Sequence, residues 1–91
     1  MRTSTVLKKA AKLLRKGPWG QGVAADRPGT LCVMDAVHRA GGDEAYDRVG
    51  WFLHGCAGEP AVDFNDAKGR TQAEVVEFVE VAAINAAAVG E

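Results

Sequence analysis

The sequence is short of the residues on which most catalysis and most membrane or nucleic-acid chemistry depends. Two cysteines, Cys32 and Cys56, stand in a chain of 91 residues. With no secretory signal ahead of them they predict free thiols in a reducing compartment, not a disulfide framework. There are two histidines, and their spacing is wrong for zinc. Cys32 and His38 lie six residues apart and His54 and Cys56 flank one glycine, whereas paired ligands come as C-x-x-C or H-x-x-x-H. A cysteine hydrolase needs an oriented imidazole beside the thiolate, and no local context marks either thiol for that role. Neither a G-x-S-x-G elbow nor an H-E-x-x-H helix occurs. Aromatic residues make up 7% of the chain and the net charge is −1, so no overall field draws it to polyanions. No apolar run reaches the ~18 residues of a membrane span. Lysines break the first apolar stretch before it attains the length of a signal-peptide core. Composition thus predicts a single small domain over residues 1–91, cytoplasmic, without metal or cofactor.

What the chain does have is helical periodicity. The stretch Phe64 to Val89 contains the sharpest helix start, Thr71 with Glu74, spaced as a capping box in which each side chain satisfies the other's backbone amide. From Gln72 onward Val75, Phe78, Val79, Ala82, Ala83, Ala86 and Val89 recur at three- and four-residue steps, one buried helical face. A first helix is expected from Ser4 or Thr3, acting as cap, to about Lys16, with Val6, Leu7, Ala10, Leu13 and Leu14 on one side, ended by Gly17-Pro18. A second should run from Leu31 or Cys32 to Ala40 and stop at Gly41-Gly42. A third should start after Asp43 and reach about His54, with Val49, Phe52 and Leu53 inward. Gly50 is costly inside that helix and predicts a close approach or a break. Val62 to Phe64 reads as a short extended piece or turn, and Val23–Ala25 with Thr30–Cys32 as a possible hairpin across D-R-P-G. The fold class is all-α: a compact bundle of about four helices, with room for a short β-hairpin after the first.

Charge is unevenly placed. Residues 1–16 carry Arg2, Lys8, Lys9, Lys12, Arg15 and Lys16 without an acid, +6, and the remainder sums to −7. Lys8, Lys9, Lys12, Arg15 and Lys16 present a nucleic-acid reading, but no aromatic interleaves them to stack on bases. A solvated face, or pairing with the acids Glu74, Glu77 and Glu80, is the plainer reading. Two further motifs fall short. Gly20 to Ala25 matches a loose dinucleotide loop but follows a helix instead of a strand. Asp63, Asn65, Thr71 and Glu74 hold calcium-loop positions one, three, nine and twelve, yet Ala67 and Lys68 stand where a ligand and a glycine are required.

At W-G-Q-G and again at F-N-D-A-K-G-R-T-Q-A-E-V the sequence resembles a family of small uncharacterised proteins of bacteria, notably actinobacteria, and their phages. The matching positions are Trp19, Gln21, Gly22, Cys32, Asn65, Asp66, Gly69, Arg70, Thr71, Glu74 and Val75, with Phe64 where that family carries tryptophan. The resemblance implies a helical domain and a phage or prophage source, and it implies no activity.

On the last helix, the acidic side of Glu74, Glu77 and Glu80 continues into Ile84, Ala87 and Ala88. A helix apolar nearly all round is either wrapped by its neighbours or open to a partner. The expected function is a non-enzymatic interaction module that binds a host protein or a second copy through Ile84, Ala87 and Ala88. Trp19, Asn65 and Arg70 are secondary contacts, equally suited to fixing a loop. The alternative is a ligand-binding or hydrolytic pocket between the W-G-Q-G loop and the N-D turn.

Overall fold

The computed structural model describes residues 2–22, 27–41 and 46–91. Within them lie five helices: α1 (Thr3–Lys16), α2 (Val33–Gly41), α3 (Tyr46–Ala57), α4 (Ala61–Asp66) and α5 (Gln72–Ala88). The all-α class holds, with one more helix than the sequence predicts.

α1 and α5 form the spine. They pack on each other more extensively than any other pair and run antiparallel, because each end of one is tied to the opposite end of the other. At the start of α1, the Ser4 amide donates to the Glu91 carbonyl at 3.0 Å and Thr3 Oγ1 to the Glu91 carboxylate at 3.3 Å. At its end, Gln72 Nε2 donates to the carbonyls of Leu14, at 2.6 Å, and Arg15, at 3.4 Å. Orphan groups at helix ends need such partners when the ends are covered. Here they come from tertiary contact. The expected Ser4 or Thr3 cap is therefore corrected: the cap residue is Arg2, without a side-chain bond, and Thr3 and Ser4 are both buried.

α2, α3 and α4 close the core around that spine. Leu7 and Leu14 of α1, Val33 and Val37 of α2, Val49 and Leu53 of α3, and Val75 and Val79 of α5 have no measurable exposure. Burying a leucine of this kind stabilises by roughly 1.5–3 kcal/mol. α2 ends at Gly41, where the sequence places its stop. A Cβ there would overlap the Val6 side chain, so the glycine lets α2 cross α1 closely. Gly50, by contrast, lies within an unbroken α3 and a Cβ there meets nothing within 4 Å. Neither the predicted close approach nor the predicted break exists.

The segment Val62 to Phe64 is helical, not extended. Pro60 precedes the helix with a backbone suited to a helix start, and Ala61, Phe64 and Asn65, at steps of three and four, turn one face inward. Of the possible hairpin, Val23–Ala25 lies outside the described residues. Leu31 makes an isolated parallel bridge with Trp19, and no strand forms among the described residues. The expected start of the third helix after Asp43 likewise lies outside them. That helix extends to Ala57, past the expected His54.

Candidate functional site

Short helix α4 delivers Asn65 to the centre of a polar junction. Its side chain is 1% exposed and is fully used. Oδ1 accepts from Trp19 Nε1 at 2.7 Å and from the Val33 amide at 3.1 Å, while Nδ2 donates to the Gly20 carbonyl at 3.1 Å and to Asp66 Oδ1 at 2.9 Å. An indole and an amide can only donate and a carbonyl can only accept, so this orientation of the asparagine amide is forced. One side chain thereby ties the W-G-Q-G loop, the start of α2 and α4 together. Gln21 adds bonds from Nε2 to the carbonyls of Asn65 and Ala67 at 2.8 and 2.9 Å, and the Gly22 amide donates to Asp66 Oδ1 at 3.1 Å. Of the dinucleotide-like glycines, Gly20 is bonded to Asn65, itself one of the calcium-like positions, and Gly22 to Asp66.

Arg70 finishes the turn. Its Nε donates to the Phe64 carbonyl at 2.9 Å, and the guanidinium carbon lies 3.7 Å from the centroid of the Phe64 ring, a cation–π distance. Phe64 in turn stacks on Phe78 of α5 with centroids 4.1 Å apart. Gly69, at φ +82°, supplies the left-handed residue that the turn needs. The capping box then starts α5: the Glu74 amide donates to Thr71 Oγ1 at 3.2 Å and the Thr71 amide to Glu74 Oε1 at 2.8 Å. Those bonds to Thr71 hold the Glu74 carboxyl below its ordinary range, with nearby Arg70 adding to the effect.

Beside the junction is a cleft of about 200 Å³ lined by Gly22, Cys32, Val33, Asp35, Val62, Asn65 and Asp66. Ligand pockets usually run to about 300–1,000 Å³. Burial chiefly pushes the Cys32 thiol up, and the Asp35 carboxylate adds to it, which disfavours the thiolate a nucleophile requires. Burial also raises Cys56, on α3, whose sulfur lies 3.9 Å from the Phe78 carbonyl.

A second surface is the outer side of α5. The helix is covered on one side only. Val75, Val79, Ala82, Ala83 and Ala86 face the core, while Ile84 is 66% exposed, Val81 38%, and Ala87 and Ala88 are exposed beside them. Val81, Ile84 and Ala88 share a stripe that follows Glu74 and Glu77 along the helix. Glu80 is partly drawn aside, its carboxylate 2.7 Å from the Arg15 guanidinium.

Sequence reasoning overlooked Trp51. It is 62% exposed on α3, and Arg48 reaches over its ring at 5.1 Å while pairing with the Glu91 carboxylate. That bridge places Trp51 at the same end of the bundle as Val89, itself 66% exposed. The available signal was an indole on the polar side of a helix whose core positions were already filled by Val49, Phe52 and Leu53.

Of the six expected contact residues, the structure brings Trp19, Asn65 and Arg70 together at the junction and places Ile84, Ala87 and Ala88 on the open side of α5. Asn65 offers no surface of its own.

Five helices among the described residues, packed around one core and tied by a tryptophan–asparagine junction, make this a small all-α protein. The chain belongs to the family of unknown function DUF6197, whose model matches residues 1–85. No curated protein and no solved structure matches the chain. No helix of the described residues is long and apolar enough to cross a membrane.

Proposed function

We propose that the protein is a non-enzymatic interaction module that docks on another protein surface through the outer face of α5. The supporting observation is the run of exposed Val81, Ile84, Ala87 and Ala88 on a helix whose other side is the centre of the core. Exposed aliphatic side chains gathered on one rigid helix face are a site for a groove or a second helix. The partner is a host protein or a second copy of the chain. The resemblance to actinobacterial and phage proteins supports a phage or prophage source, with action in the host cytoplasm.

Ile84→Glu tests this reading. The side chain contributes little to the core, so the variant should keep its thermal midpoint while losing self-association in sedimentation velocity or partner capture from host lysate. Unchanged assembly in the variant refutes the α5 face. A wild type that is monomeric and captures nothing refutes the interaction reading itself.

A further inference from the structure

The basic residues of the protein do not all share one fate. Arg15 is paired with Glu80, Arg48 with Glu91, and Arg70 with Glu74. Lys9, Lys12 and Lys16 of α1 instead converge with Arg39 of α2 on a groove of about 330 Å³. Its remaining lining among the described residues is Leu13 and Ala40, and no acid among the described residues lines it. None of the four cations makes an ion pair or hydrogen bond with a described residue.

Steps of three and four residues set the three lysines on one azimuth, where like charges repel. The helix dipole accounts for cations in the last turn, which covers Lys16 and, on α2, Arg39. It does not account for Lys9, in the middle of α1. Half-buried Leu13, together with the lysine stems, gives the groove an apolar floor under a cationic rim. No aromatic lines it to stack a base.

We propose that the α1/α2 groove binds an acidic amphipathic segment of a partner protein, with Asp or Glu side chains on the rim cations and one aliphatic or aromatic residue seated on Leu13. Charge complementarity selects the acidic partner and the apolar floor selects a peptide over a bare phosphate chain. The site is separate from the α5 face, so Ile84→Glu leaves it intact and the two readings fail independently.

The test uses fluorescence anisotropy with four labelled probes: a synthetic helix carrying Glu and Leu on one face, the same peptide with Leu replaced by Ser, the same peptide with Glu replaced by Lys, and a short single-stranded DNA. The Glu/Leu peptide should bind the full chain and weaken with salt. Its affinity should drop about tenfold or more in Lys9→Glu/Arg39→Glu, whose charge changes act at two rim positions. The Ser peptide should also bind more weakly to the wild type. A Lys/Leu peptide should prefer the double variant to the wild type, which shows that the variant is folded and that the groove was read correctly. Equal binding of the Glu/Leu peptide to wild type and to a double variant with an unchanged melting curve overturns the proposal. So does indifference to the Leu-to-Ser change, or tighter binding of the DNA.

Discussion

Asn65→Ala should be among the most damaging single changes in this protein. The alanine leaves the Val33 amide and the Gly20 carbonyl without partners inside the structure, and releases the half-buried Trp19 indole. Each buried group left unpaired costs about 1–3 kcal/mol. Two of them give about 2–6 kcal/mol. Water entering from the adjoining cleft and the better helix propensity of alanine both lower the figure, so the expected loss is about 3 kcal/mol. A 91-residue domain has roughly 5–14 kcal/mol of stability in total, and the melting temperature should fall by about 12–24 °C. Urea titration followed by tryptophan fluorescence and circular dichroism measures it. Asn65→Asp separates hydrogen bonding from size: it keeps the shape but sets an oxygen against the Gly20 carbonyl and the Asp66 carboxylate. Its cost at neutral pH should equal or exceed that of alanine and shrink as the new carboxyl protonates. A loss below about 1 kcal/mol for Asn65→Ala, or a tolerated Asn65→Asp, would refute the account of the junction as a structural joint.

Gly50→Ala should stabilise by about 0.5–1 kcal/mol in a thermal melt, since the helix is regular there and a methyl group meets nothing. Gly41→Ala should destabilise by about 1–3 kcal/mol through overpacking against Val6. Glu74 and Glu91 both have carboxyls held below their ordinary range, by bonds to Thr71 and to Arg48 respectively. Their contribution is complete above the unfolded carboxylate value of about 4.3 and disappears as pH falls through the lower folded value. Urea midpoints measured down an acid series should therefore decline less steeply in Glu74→Gln than in the wild type. Both thiols are pushed up by burial, so iodoacetamide at neutral pH should modify the folded protein much more slowly than the urea-unfolded chain. Equal rates would mean that the thiols are more open than the fold shows.

Periodicity and capping chemistry decide most of the helices without help from tertiary structure. The Thr71–Glu74 box starts α5 at Gln72 because both hydrogen bonds are local, and the inward residues of α1 and α5 follow from a 3.6-residue repeat, except Val89, which lies past the last turn of α5 and is 66% exposed. The failures share a cause. α4 is too short for a periodic pattern, and its face is recognisable only once Trp19, Gly20 and Val33 are in place around Asn65. Thr3 and Ser4 look like caps, but Glu91, far away in sequence, supplies the acceptors. Gly41 and Gly50 are the same residue in similar helical surroundings, and only the presence of Val6 behind one of them distinguishes a packing requirement from a neutral site.

The candidate surfaces divide along the same line. That α5 is apolar nearly all round is written in its sequence. Which side stays open depends on where α1 and α3 pack, and that packing leaves Ile84 in solvent and buries Ala83 next to it. The surplus of positive charge in the first sixteen residues is equally plain in the chain, yet its division into a paired Arg15 and a groove shared with Arg39 is not. Local sequence determines backbone conformation through interactions a few residues long. Neighbours brought together from opposite ends of the chain decide which side chains are left for a partner, because exposure and charge pairing belong to the assembled bundle and not to any one of its helices.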